Sequence, residues 1–244
     1  SMNKIFIVGI GPGGGNDLTP RAERALADAD LIVGYTVYIN LLGEKFGKKE
    51  TASTPMRGEK ERCLICFREA RRGRKVALVC GGDAGIYGLA SLMYELSKDF
   101  PDVELEVIPG ITAANAGAAL LGAPINNDFC VISLSDLLTP WDKIEKRLEA
   151  AAAGDFSIVI YNPSSRKRSG HLAKACAILL KHIEESRPCG YAENIGREGE
   201  SIKVCTLGEL RNTAADMFTT IFIGNSDTVI INGRLVAKRG YKIE

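Results

Sequence analysis

Three strand-like runs in the first half of the chain, two of them apolar after a leading lysine, each lead directly into a glycine-rich segment. They are Lys4–Ile10 before Gly11-Pro12-Gly13-Gly14-Gly15, Lys75–Cys80 before Gly81-Gly82-Asp83-Ala84-Gly85-Ile86-Tyr87-Gly88, and Glu104–Ile108 before Pro109-Gly110-Ile111-Thr112. A short continuous apolar run bounded by turn residues reads as a strand buried on both faces, the usual state of a strand in a helix-covered parallel sheet. Glycines directly after such strands let the backbone approach a ligand closely and leave N–H groups open. Open α/β sheets bind ligands outside the carboxyl ends of their strands, so three such endings point to one crevice.

Helical patterns alternate with these strands, as an α/β chain requires. Helices are expected over Thr19–Asp28, Glu59–Arg72, Ile86–Lys98 and Thr112–Leu121, with a short strand at Leu31–Val33. Thr19 is a plausible helix cap, because Pro20 follows it at the first helical position. The segment Gly122–Asp128 breaks the pattern. A second unit then reads as strand Phe129–Leu134, helix Trp141–Ala153, strand Ser157–Ile160 and helix Gly170–Glu185. Strands near Cys189–Ala192, Lys203–Thr206, Phe218–Ile223 and Val229–Ile231 complete it, with Asn232-Gly233 as a hairpin turn. The expectation is two α/β domains, 1–123 and 124–244, hinged near residue 125, with mixed sheets flanked by helices and a cleft between the domains.

Lys and Arg number 31 against 30 Asp and Glu, so no global charge favours nucleic acid or an acidic membrane. No apolar run is long enough to span a bilayer, and the N-terminal region lacks the layout of a cleaved signal. Seven cysteines, an odd number, are scattered through the chain, which fits a reducing, cytoplasmic compartment. Cys63 and Cys66 have metal-like spacing but no completing ligands nearby, and core packing is the better reading. His171 and His182 lie roughly three turns apart on one expected helix, too far to share a metal. No metal ligand set is assigned.

Individual motifs admit plain and functional readings. Gly9-Ile10-Gly11-Pro12-Gly13-Gly14 fits the G-x-G-x-x-G dinucleotide pattern, but Pro12 interrupts it and the helix begins only near Thr19. The second strand also ends in Gly34-Tyr35, where a ribose-binding acid would stand. Asp83, flanked by glycines, either binds a ribose or amine or caps the next helix, and both roles are compatible. Thr112 alone reads as a helix cap. Arg57, Lys60 and Arg62 form one basic cluster and Arg166, Lys167 and Arg168 another. Such runs are usually solvated, yet a polycarboxylate ligand would need them.

Taken together, these motifs resemble the tetrapyrrole (corrin and porphyrin) methylase family. Its pattern of G-x-G-P-G with a following L-T, then G-D, then P-G-x-T-A stands at Gly9–Thr19, Gly82-Asp83 and Pro109–Ala113. The resemblance runs over essentially the whole chain and includes Tyr161–Arg168 and Asn194–Glu200. The stretches Gly81–Gly88, Leu121–Trp141 and Tyr161–Arg168 are most similar to members that methylate carbon 17 of the ring in cobalamin biosynthesis.

That resemblance implies a homodimer using S-adenosyl-L-methionine on a tetrapyrrole, either metal-free or cobalt-bearing, with no nucleic-acid or membrane partner. It places Gly11, Pro12, Gly82, Asp83, Ala84, Tyr87, Thr112 and Ala113 at the cofactor, with Asn162, Cys205 and Thr206 towards the adenine. The family often has another residue type at Asn162. Candidate substrate contacts are Arg57, Arg62, Ser133, Ser135, Asp136, Arg166 and Arg168, and Asp83 and Tyr87 are the catalytic candidates. Methyl transfer from a sulfonium needs alignment rather than a strong base. The accompanying ring contraction needs proton transfers. The alternatives are methylation at another corrin carbon, a nicotinamide enzyme, a nucleic-acid methylase and a non-catalytic nucleotide-binding module.

Overall fold

The computed structural model describes residues 3–55 and 57–243. The chain separates into two compact units, one running through Ala113 and the other starting at Ala114.

The first unit is built on five parallel strands: β1 (Asn3–Gly9), β2 (Leu31–Tyr35), β3 (Glu50–Thr54), β4 (Val76–Cys80) and β5 (Val103–Ile108). They lie in the order β3-β2-β4-β1-β5. Successive side chains of a strand point to opposite faces, and the apolar runs use both. Ile5, Ile7, Leu31, Val33, Val76 and Leu78 meet Cys63, Cys66, Phe67 and Ala70 of α3 (Glu59–Arg71). Val8, Ile32, Ala77 and Val79 meet Ala22, Ala25 and Leu26 of α1 (Pro20–Asp28). Thr19 caps α1, its hydroxyl accepting from the Ala22 N–H at 3.1 Å.

Several elements depart from expectation. The helix α2 (Thr36–Leu41) and the edge strand β3 were not expected, because β3 is the polar sequence Glu-Thr-Ala-Ser-Thr with no apolar face to read. The helix α4 is Ala90–Leu96, shorter than the expected Ile86–Lys98. Residues ahead of it form a tight turn in which Tyr87 has φ of 56° and the Ala90 N–H donates to the Ala84 carbonyl.

The helix α5 (Ala113–Leu121) packs in the second unit. Its Ala114, Ala118 and Leu121 bury against Val159, Phe222 and Leu235. Gly117 makes that approach possible, since a Cβ there would lie 2.9 Å from the Phe222 ring. The main sheet of this unit comprises β7 (Phe129–Ser133), β8 (Ser157–Tyr161), β9 (Pro188–Glu193), β10 (Ser201–Thr206) and β11 (Thr219–Ile223). The order is β10-β9-β11-β8-β7, with only the β7–β8 pair parallel. Its other face is covered by α6 (Trp141–Ala153), α7 (His171–Leu179) and α8 (Leu207–Leu210).

A three-stranded sheet, β12 (Thr228–Ile231), β13 (Arg234–Ala237) and β6 (Gly122–Ala123), completes the unit, and Asn232-Gly233 turns its hairpin with both φ angles positive. The helix α7 ends six residues before the expected Glu185. Its last turns tighten, with Lys181 N–H bonding to Ile178 and His182 N–H to Leu179, so His182 lies beyond it. Among the described residues no helix is long and apolar enough to cross a membrane.

Candidate active site

The three glycine-rich turns follow β4, β1 and β5, which are neighbours in a parallel sheet, so all three open at one edge of the first unit. Gly11 and Gly82 exchange backbone hydrogen bonds of 3.0 and 2.8 Å, extending the β1–β4 pairing into the turns. Both have positive φ, 77° and 64°, a region that side-chain-bearing residues rarely adopt. Gly110 comes closer still. A Cβ on it would sit 2.2 Å from the Gly82 carbonyl oxygen and 2.6 Å from the Gly9 carbonyl carbon. These turns therefore meet backbone to backbone, with no space for side chains at the contact.

Asp83 locks this arrangement. One carboxylate oxygen accepts from the Gly110 N–H and the other from the Gly85 N–H, each at 2.8 Å. The expectation that Asp83 caps the following helix is not met, because the cap position of α4 is Leu89. Its carboxylate braces the second turn to the third instead. Ala84 is fully buried beneath this turn. Tyr87, held at positive φ, is half exposed at 54%. Pro12 is half-buried, Thr112 is buried and Ala113 opens α5. Gly11, Pro12, Gly82, Asp83, Tyr87 and Thr112 thus gather at the carboxyl ends of three neighbouring strands, with Ala84 in the core beneath them. The sequence offered no signal for Tyr38, whose ring packs so closely on Gly81 that a Cβ there would lie 2.6 Å from it.

The dinucleotide pattern lacks its structural partners. The helix α1 starts only at Pro20, and β2 ends in Gly34-Tyr35 with no acid at its tip. Arg62 is buried, its Nε donating to the Thr54 hydroxyl at 2.7 Å and its Nη2 to the Pro55 carbonyl at 2.9 Å. It holds the end of β3, while Arg57 is exposed in the turn before α3.

In the second unit, Ser133 accepts from the Asn162 side-chain amide at 2.9 Å and from the Ser135 N–H at 3.2 Å. Asn162 has φ of 52°. The Tyr161 hydroxyl accepts from the Ala114 N–H at 2.7 Å, fixing the start of α5 to β8. Cys205 is buried in β10, and burial first, with the Glu209 charge second, pushes its thiol up to about 11. Thr206 caps α8 by accepting from the Glu209 N–H.

Asp136 is hydrogen-bonded to Arg168 Nε and has His171 Nε2 at 3.5 Å. Burial opposes its ionisation, but the Arg168 hydrogen bond and the His171 and Arg168 charges outweigh it and hold the carboxyl below its usual range. Sequence reasoning weighed His171 only as a metal ligand. It stacks instead on Trp141, with centroids 4.8 Å apart and planes at 9°. Arg166 is exposed. Among the described residues no group of three His, Cys, Asp or Glu side chains is placed to hold a metal ion.

Residues 4–211 match the model of the tetrapyrrole (corrin/porphyrin) methylases. The chain belongs to this family. It is a methyltransferase. A probable cobalt-factor III C(17)-methyltransferase of Salmonella typhimurium is 45% identical, with 98% of this chain and all of that protein covered. A precorrin-3B C(17)-methyltransferase of Sinorhizobium is 38% identical over 93% of this chain and 91% of the relative. Among solved structures, the methyltransferase CobJ superposes with a TM-score of 0.89 at 34% identity, covering 97% of this chain and all of the other. A uroporphyrin-III C-methyltransferase of Thermus thermophilus, crystallised with S-adenosylhomocysteine, shares the fold at a TM-score of 0.72 and 19% identity, covering 91% and 92% of the two chains.

Proposed function

We propose that this chain methylates carbon 17 of a corrin precursor, precorrin-3B or its cobalt-bearing counterpart cobalt-factor III, with ring contraction, in cobalamin biosynthesis. Full-length similarity to the Salmonella and Sinorhizobium enzymes supports the substrate class and the ring position. The observation that carries the chemistry is the backbone junction of Gly9, Gly11, Gly82 and Gly110, braced by Asp83.

S-adenosyl-L-methionine fits such a junction, where glycines bring main chain rather than side chains to a ligand and a Cβ at Gly9, Gly11 or Gly110 would collide with backbone. When bound, it supplies a methyl group already activated on a sulfonium. Gly11, Pro12, Gly82 and Thr112 would hold it, with Ala84 buried beneath the turn that carries Gly82, and Tyr87 presents its exposed ring at the same turn. Asp83 is a positioning residue, since both its oxygens fix the turns that carry the others. Rigid alignment of this kind removes roughly 7–11 kcal/mol of a bimolecular barrier without a strong base. A homodimer acting in the cytoplasm, with no nucleic-acid partner, completes the reading, in keeping with the balanced charge.

Calorimetry with S-adenosylhomocysteine and with NAD tests the cofactor assignment. The expected result is binding of S-adenosylhomocysteine alone, weakened at least about tenfold in Asp83→Ala through the loss of two charge-assisted hydrogen bonds. Preference for NAD would overturn it.

A further inference from the structure

A pocket of about 400 Å³ lies in the second unit, at the start of α7. Its charged lining is Asp136, Lys167, Arg168 and Lys174, with His171 in the wall. Asp136 is the single acid, and it is already engaged by Arg168 and faced by His171. Lys167 and Lys174 are exposed and have no carboxylate partner among the described residues. Lys174 lies over the Trp141 ring, 5.7 Å from its centroid. The pocket thus carries an excess of positive charge on a fixed frame, because the Asp136–Arg168 bond and the His171–Trp141 stack tie the loop after β7 to the starts of α6 and α7.

That loop continues from Asp136 into Leu137 and Leu138, which are 59% and 93% exposed. Two uncovered leucines directly after Asp136, on the loop that lines the pocket, and two lysines with no carboxylate partner among the described residues match a ligand with an apolar body and an anionic rim. A tetrapyrrole macrocycle with carboxylate arms has that chemistry. A solvated basic surface would require neither the concave frame nor the leucines.

We infer that this pocket receives a carboxylate arm of the tetrapyrrole, held by Lys167 and Lys174, with Leu137 and Leu138 against the macrocycle. The inference rests on the substrate class proposed above. Asp136, Arg168 and His171 are positioning residues here, setting the frame from which the two lysines reach.

The test is an anaerobic absorbance titration of the protein with cobalt-factor III, with S-adenosylhomocysteine affinity measured in parallel. Lys167→Gln/Lys174→Gln is expected to weaken cobalt-factor III binding at least about tenfold, as loss of two charged contacts should. S-adenosylhomocysteine affinity and the urea midpoint should stay unchanged. Lys167→Arg/Lys174→Arg should retain binding, and Lys181→Gln, an exposed lysine outside the pocket, should have no effect. Unchanged binding in the Gln pair overturns the inference, as does an equal loss in Lys181→Gln. Failure of the wild type to bind either cobalt-factor III or precorrin-3B titrated in its place, while still binding S-adenosylhomocysteine, would instead overturn the substrate reading on which the inference rests.

Discussion

At Gly110 the site depends on the absence of a single carbon. A Cβ there would fall 2.2 Å from the Gly82 carbonyl oxygen, and that neighbour is backbone that cannot rotate away. Gly110→Ala should therefore cost about 1–3 kcal/mol, the usual cost of overpacking, and abolish S-adenosylhomocysteine binding. Gly15, in the first glycine turn, has nothing within 4 Å of the same added carbon. Gly15→Ala should change the urea midpoint by no more than about 0.5 kcal/mol equivalent and leave binding intact. Comparable losses in both variants would mean that the turns need general flexibility rather than close approach.

His171 makes a second prediction at this scale. Burial first, then the Lys174 and Arg168 charges, lower its pKa from 6.5, against the opposing pull of Asp136. Below about pH 6.5 the unfolded chain takes up a proton that the folded chain resists, so stability should fall as pH drops from there towards the depressed folded value. His171→Phe keeps an aromatic plane against Trp141 and should flatten that slope. Urea midpoints between about pH 7.5 and about pH 5 would show it, and His182 is the only other histidine to complicate the window. An unchanged slope in the variant would assign the acid sensitivity elsewhere.

At the scale of elements, Thr19 separates structural from ligand-binding motif residues. It belongs to the family-like L-T pair, yet its hydroxyl is the cap of α1. Thr19→Ala should cost about 1 kcal/mol of stability, and Thr19→Ser should recover most of it. Neither should move S-adenosylhomocysteine affinity. A large affinity change in the alanine variant would make Thr19 part of the site. The elements legible from sequence were those with an apolar face: β1, β4, α3 and α6 stand close to their expected bounds. The polar edge strand β3 and the two-residue β6 carry no such pattern. The late start of α4 and early end of α7 were hidden for another reason, because hydrogen-bonded turns there replace helical residues in helix-compatible sequence.

Over the whole molecule, the gathering of three turns at one sheet edge was legible because glycine after a buried strand has few structural reasons to recur. What joins those turns was not. That Asp83 bonds to Gly110, 27 positions along the chain, follows from β1 standing next to both β4 and β5, and strand order is not written in any local pattern. The same holds for the pocket at α7, where Asp136, His171 and Trp141 meet only after β7 and β8 have paired. Seven cysteines illustrate the opposite case. Six of them are buried, and Cys63 and Cys66 sit in the core of the first unit, as small apolar side chains do.

The most direct test of the account is methyl transfer itself. Purified protein would be incubated anaerobically with cobalt-factor III and, in a parallel reaction, with precorrin-3B, each with S-adenosylmethionine carrying a carbon-13 methyl group, and the products examined by mass spectrometry and carbon NMR. The account predicts one added methyl group per macrocycle, with the label at carbon 17. Methylation of neither macrocycle, or a label at any other ring carbon, would contradict it.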